Sequence, residues 1–132
     1  MLTKHQIEDY NKNGFIVIEE LLSKNEIRQT RDIIDQFIEK SRDIKESDNI
    51  FDLEDDHSRN NPRLTRVKQP HLINDHFFNL IKNSKITKAL KDLLGKNILL
   101  KSSKLNTKFE KGGSAVEWHQ DWAFYPHTND DV

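Results

Sequence analysis

The stretch Ala115-Val116-Glu117-Trp118-His119-Gln120-Asp121-Trp122-Ala123-Phe124-Tyr125 decides how the end of this chain folds and what it can hold. It is rich in aromatic and β-forming residues, follows the turn Lys111-Gly112-Gly113, and is predicted to be extended. On a strand, residues i and i+2 point to one face, so His119 and Asp121 project together. An imidazole nitrogen and a carboxylate oxygen can then meet on one metal ion at about 2.0–2.2 Å. A histidine from another strand would complete a 2-His-1-carboxylate triad. Such a triad takes one face of an octahedral ion and leaves the other positions open for chemistry. A His-x-Asp pair alone is a weak sign, because a surface histidine beside a carboxylate is its ordinary occurrence. The glycine turn before it and the tryptophan on either side favour the metal reading.

Moving towards the N-terminus, residues 101–109 alternate weakly as a strand would. Ser103, Leu105, Thr107 and Phe109 fall on one face, and Ser102, Lys104, Asn106 and Lys108 on the other. Ile98-Leu99-Leu100 is expected to open that strand. Before it, Ile86, Leu90, Leu93 and Leu94 form a helical stripe that stops at Gly95, and a short helix is expected around Phe77, Leu80 and Ile81. Residues 42–66 carry Asp, Glu, Asn and Arg without periodicity, and read as a long solvated loop. Ser23 with Glu26 is a capping box, in which a hydroxyl and a carboxylate satisfy the free N–H groups of a helix start. Behind it Ile27, Ile34, Phe37 and Ile38 recur at helical spacing to about Ser41. Thr3 with Gln6 is a second such box, and Gly14 ends its helix; Phe15-Ile16-Val17-Ile18 then reads as a short buried strand.

Composition narrows the function classes. Of 132 residues, 34% are hydrophobic and 33% charged, an apolar-poor balance that fits part of a larger domain better than a complete one. Lys plus Arg number 21 and Asp plus Glu 22, for a net charge of -1, so the basic excess of a nucleic-acid binder is absent. There is no cysteine, which excludes disulfides and thiolate metal sites. No apolar run approaches the roughly 20 residues of a membrane span, and Met1-Leu2-Thr3-Lys4-His5 does not open a signal peptide. A soluble cytoplasmic protein that binds neither nucleic acid nor membrane is the expectation.

Two further metal arrangements fail on spacing. Asp52, Glu54 and Asp56 faintly suggest a calcium loop, but His57 stands where glycine is needed and Arg63 where the closing glutamate belongs. His127 lies eight residues beyond His119, about 26 Å along an extended strand, and shares a metal with it only if the chain reverses. His5, His57, His71 and His76 show no ligand spacing and are expected at the surface or partly packed.

The segment from Lys104-Leu105-Asn106-Thr107-Lys108 through Gly112-Gly113 to Glu117-Trp118-His119-Gln120-Asp121-Trp122-Ala123-Phe124-Tyr125-Pro126-His127-Thr128-Asn129-Asp130-Asp131 resembles the phytanoyl-CoA dioxygenase family. Gly14-Phe15-Ile16-Val17-Ile18, the helix entry Leu21-Leu22-Ser23, and Gly95 before the first long strand are similar as well. The resemblance implies an α+β fold, with N-terminal helices over about residues 1–95 and the opening strands of a double-stranded β-helix (a jelly-roll-like barrel) over about 96–132. It implies Fe(II), with 2-oxoglutarate and O2 as co-substrates. Their decarboxylation chemistry is coupled to hydroxylation of a C–H bond in a small organic substrate. His119 and Asp121 match the first two iron ligands, and Asn106 matches a position that helps hold 2-oxoglutarate. Gln120 and Trp122 beside the ligands either line the substrate pocket or pack, and Lys108 either attracts the co-substrate or is a solvated strand-end lysine. Asp121 favours hydroxylation over halogenation, because halogenating relatives carry a small residue there. The family's second ligand histidine and its 2-oxoglutarate arginine lie downstream of residue 132, so these 132 residues alone are expected to be inactive. The rival expectation is a truncated or degenerate module that binds a ligand or partner without catalysis.

Overall fold

A computed structural model of the chain describes residues 1–110, 112, 113 and 115–125. Helix α1 spans Lys4–Asn13. Its capping box is complete: Gln6 N–H donates to Thr3 Oγ1 at 3.2 Å, and Thr3 N–H donates to Gln6 Oε1 at 2.9 Å. Gly14, at φ 78°, closes the helix in the left-handed conformation that a side chain would resist. Helix α2, Lys24–Ser41, starts at the same kind of box on Ser23 and Glu26. The helices Pro70–Ile73 (α3), Asp75–Ile81 (α4) and Ser84–Leu94 (α5) follow later in the chain, and Gly95 ends α5 as expected.

The strands lie elsewhere than the hydropathy pattern places them. Residues 42–66 do not form one open loop. They contain strand β1, Phe51–Leu53, and the start of β2, Leu64–Lys68, which pair antiparallel, with β3, Lys104–Asn106, on the far side of β2. Each strand is only three to five residues long and interleaves charged residues with apolar ones, so neither a long apolar run nor a full alternation marks it. Conversely, 15–18 and 98–100 are not strands. Phe15, Val17 and Leu99 are exposed, and among the described residues no strand pairs with them. The described part of 115–125 is not a strand either, and ends in a 3₁₀ turn at Asp121–Phe124. Thus the α+β class holds, but sheet begins at residue 51 rather than near 97.

The core lies between α2 and the inner face of this sheet. Phe37 of α2 stacks on Phe77 of α4, and meets Phe51 of β1 edge-on, with 6.0 Å between centroids in each case. Leu64 and Val67 of β2 are fully buried, and Ile33, Ile34, Ile38, Leu53 and Leu105 close around them. Each large apolar side chain so buried stabilises the fold by about 1.5–3 kcal/mol. His57 ties the β1–β2 connection to the end of α2. Its Nδ1 accepts from the Arg63 N–H at 2.8 Å, so its Nε2 carries the proton and donates to the Ser41 carbonyl at 3.0 Å.

The alternation expected for 103–109 is present: the set containing Leu105 is half-buried and the set containing Asn106 exposed. In the register, Asp52, Arg66 and Asn106 stand opposite one another across the three strands, as do Phe51, Val67 and Leu105. Residues directly opposite share a face. One face of the sheet is therefore core and the other is a charged row.

Candidate metal centre

Beyond β3, Gly112 and Gly113 lie against the β1–β2 connection, near Arg63 and Glu54. Arg63 lies over the Phe109 ring at 4.8 Å, and a methyl group placed on Gly112 would touch the Arg63 guanidinium at 3.6 Å.

The pair comes together, though not on a strand. His119 Nε2 lies 3.0 Å from Asp121 Oδ1, and His119 Nδ1 lies 2.7 Å from the Glu117 carbonyl oxygen. Asp121 is the first residue of the 3₁₀ turn, closed by the Ala123 N–H donating to the Gln120 carbonyl at 3.2 Å. Phe124, at the other end of the turn, meets the His119 ring edge-on with centroids 5.5 Å apart. The side chains of His119 and Asp121 keep 40% and 65% of their exposure. The expected strand is corrected, and the expected juxtaposition is made instead at the entry to a 3₁₀ turn.

The donor set suits a divalent cation. A carbonyl only accepts, so His119 Nδ1 must carry a proton and donate to Glu117. Nε2 then faces a carboxylate, which also only accepts. The contact is attractive only if a second proton or a metal ion lies between them. Two donors on neighbouring corners of an octahedron, each about 2.1 Å from the ion, lie about 3.0 Å apart. The 3.0 Å between His119 Nε2 and Asp121 Oδ1 matches that edge. Among the described residues no group of three His, Cys, Asp or Glu converges on one point.

The other expected site residues are less close to one another. Asn106 is exposed on the charged face of the sheet, and its Oδ1 accepts from Arg66 Nε at 3.2 Å. Gln120 is exposed next to the pair. Trp122 belongs to the 3₁₀ turn, its side chain lying outside the described part, and His127 lies outside the described residues altogether. The remaining histidines serve the fold or the surface. His5 pairs with Asp9 at 3.4 Å, His76 Nε2 contacts Thr30 Oγ1 at 2.8 Å, and His71 Nδ1 contacts Ser103 Oγ at 2.5 Å. Two acidic residues of the β1–β2 hairpin are matched by cations, Asp52 by Lys68 and Arg66, and Asp56 by Arg63. The charged row of Asp52, Arg66 and Asn106 has no counterpart in the sequence reading, because its partners lie up to 40 residues apart. A groove of about 760 Å³ runs between α4, α5 and residues 96–101. It is lined by Phe78, Leu90, Ile98 and Leu100 among others, with none of the expected site residues.

The model of the family described as phytanoyl-CoA dioxygenase (PhyH) matches residues 10–132. The chain belongs to the phytanoyl-CoA dioxygenase family. Membership implies Fe(II), 2-oxoglutarate and O2. Among curated relatives, the chain is 36% identical over 126 residues to a probable alpha-ketoglutarate-dependent hypophosphite dioxygenase of Stutzerimonas stutzeri. That alignment covers 96% of this chain and 44% of the relative. It is 20% identical over 129 residues to an ectoine dioxygenase of Streptomyces avermitilis, covering 98% of this chain and 41% of that protein. The chain thus spans less than half the length of the relatives it matches. No helix among the described residues is long and apolar enough to cross a membrane.

Proposed function

We propose that this phytanoyl-CoA dioxygenase family chain supplies two iron ligands, His119 and Asp121, to an Fe(II)- and 2-oxoglutarate-dependent dioxygenase acting on a small molecule. One observation carries the reading: the 3.0 Å separation of His119 Nε2 and Asp121 Oδ1, with His119 Nδ1 already committed to the Glu117 carbonyl. That commitment sets the tautomer and turns the Nε2 lone pair towards the ion, the usual arrangement for a metal-bound histidine. Asp121 contributes the negative charge that favours a divalent cation, and Phe124 restricts rotation of the His119 ring. Bound there, iron would supply the O2-dependent oxidation that couples decarboxylation of 2-oxoglutarate to hydroxylation of the substrate. Asn106 is assigned to the co-substrate, and Gln120 and Trp122, which flank Asp121, to the wall of the substrate pocket. Residues 1–132 are part of a single oxygenase domain in this reading, with β2 and β3 among the opening strands of a double-stranded β-helix.

The relative at 36% identity is named for hypophosphite and the other for ectoine, so the substrate class is a compact polar molecule oxidised at a P–H or C–H bond. The test is succinate release by the full-length protein with Fe(II), ascorbate, 2-oxoglutarate and O2 across a panel containing both compounds. Substrate-dependent succinate, lost in Asp121→Ala, is the expected result. Full-length protein that binds neither Fe(II) nor 2-oxoglutarate would sink the reading in favour of a non-catalytic ligand- or partner-binding module.

A further inference from the structure

Asn106 does not stand alone on the outer face of the sheet. In the register it is opposite Arg66, which is opposite Asp52, so the three form one row across β3, β2 and β1. Arg66 bridges the row: its Nε donates to Asn106 Oδ1 at 3.2 Å, and its Nη1 lies 3.4 Å from Asp52 Oδ2. The other oxygen of Asp52 takes Lys68 Nζ at 2.6 Å, and Lys68 also donates to the Asp48 carbonyl at 2.8 Å. The guanidinium is thereby held at both edges, and a planar fork held at two edges has a set orientation.

This decides which way the Asn106 amide points. Arginine has five donors and no acceptor, so the amide oxygen must be the atom facing Arg66. The Nδ2 group, with two N–H donors, is left to face away from Arg66 and towards an acceptor. A second feature of the same face favours an anionic one. Lys68 and Lys104 stand directly opposite each other across β2 and β3, a like-charge pairing that costs stability on a bare sheet. With Arg66 the face carries three cations, of which Arg66 and Lys68 are paired with Asp52 and Lys104 is exposed.

We infer that Arg66, braced by Asp52, is a positioning residue that orients the Asn106 amide so that Nδ2 donates to a carboxylate of 2-oxoglutarate. This rests on the assignment of Asn106 to the co-substrate. Arg66 acts through Asn106 and not by touching the co-substrate, so its contribution disappears when Asn106 is absent. The two contributions are coupled, as those of contacting residues in one network are.

The experiment is a double-mutant cycle on the full-length protein, reading the 2-oxoglutarate Kd by titration calorimetry with Fe(II) under anaerobic conditions. Arg66→Ala and Asn106→Ala are each expected to weaken binding by about 10-fold, as losing one hydrogen bond to a charged group does. The double variant should be within about twofold of Asn106→Ala alone. In turnover, Arg66→Ala raises the KM for 2-oxoglutarate and leaves kcat at saturation within about twofold. If Arg66→Ala does not fold, the cycle is run with Arg66→Lys, which keeps the charge and loses the fork. Losses that add in the double variant overturn the inference, because Arg66 would then bind the co-substrate by its own charge. Wild-type affinity in the Arg66 variant overturns it too. Wild-type protein that does not bind 2-oxoglutarate at all would instead bring down the functional reading on which the inference rests.

Discussion

His119 Nε2 and Asp121 Oδ1 stand 3.0 Å apart where the chain enters a 3₁₀ turn at Asp121, and not on a strand. In the proposed site these two side chains act together on one ion. Losing a residue that merely orients a ligand costs about 10–100-fold in metal affinity, so losing a ligand itself should cost at least about 100-fold. In the full-length protein Asp121→Ala and His119→Ala are each expected to weaken Fe(II) binding by that much and to remove succinate formation. Anaerobic Fe(II) titration checks the first and succinate assay the second. Normal iron affinity in Asp121→Ala would show that the carboxylate is not a ligand.

Phe37 is the side chain on which the two halves of the core meet, touching Phe77 of α4 and Phe51 of β1 at 6.0 Å each. Phe37→Ala should destabilise the fold by about 3–5 kcal/mol, the usual result of emptying an aromatic site in a packed core. Urea unfolding followed by tryptophan fluorescence and circular dichroism measures it. A loss under about 1 kcal/mol would mean that α2 does not close the core.

Ser23→Ala removes the hydroxyl that accepts from the Glu26 N–H, and should cost about 1 kcal/mol. The reciprocal partner titrates. Hydrogen bonds from the Ser23 side chain, then its backbone N–H, hold the Glu26 carboxyl below its ordinary value of 4.5, with Asn83 and Lys85 adding to the effect. A lowered folded-state pKa means that the benefit of the ionised form is fully present above pH 4.5 and fades as pH falls through the lower folded value. The stability gap between wild type and Ser23→Ala should therefore be constant near neutrality and narrow below that pH. Thermal melts over a pH series decide it; a gap that widened in acid would contradict the assignment.

Leu99 and Trp118 keep 89% and 102% of their exposure, and Val116 and Phe124 are exposed as well. Large apolar side chains left in solvent invite association. Residues 1–132 expressed by themselves should therefore self-associate, bind Fe(II) weakly and release negligible succinate. Light scattering and a succinate assay test this together. A monodisperse monomer turning over at about 1 per second or faster would refute it.

The sequence itself determined the features whose physical cause is local. Both capping boxes, the Gly14 and Gly95 stops and the stripe of α2 depend on residues within a few positions of each other, since a helix satisfies its backbone groups within four residues. The inner and outer sets of 103–109 were legible for the same reason, a side-chain period of two. So was the proximity of His119 and Asp121, because two residues so near in the chain can meet by more than one backbone path.

What only the tertiary structure decided is which extended segments find partners. Phe15-Ile16-Val17-Ile18 and Ile98-Leu99-Leu100 have the apolar character of strands and pair with nothing among the described residues. Phe51-Asp52-Leu53 and Leu64-Thr65-Arg66-Val67-Lys68, set amid charges, form the sheet. A strand's hydrogen bonds are made by residues far away in sequence, so its stability is a property of the pair and cannot be read from either member. Arg66 meets Asn106 across 40 residues for that reason alone. The charged row from Asp52 to Asn106 exists because β2 lies between β1 and β3 in one register, and a shift of one residue would turn it into the core.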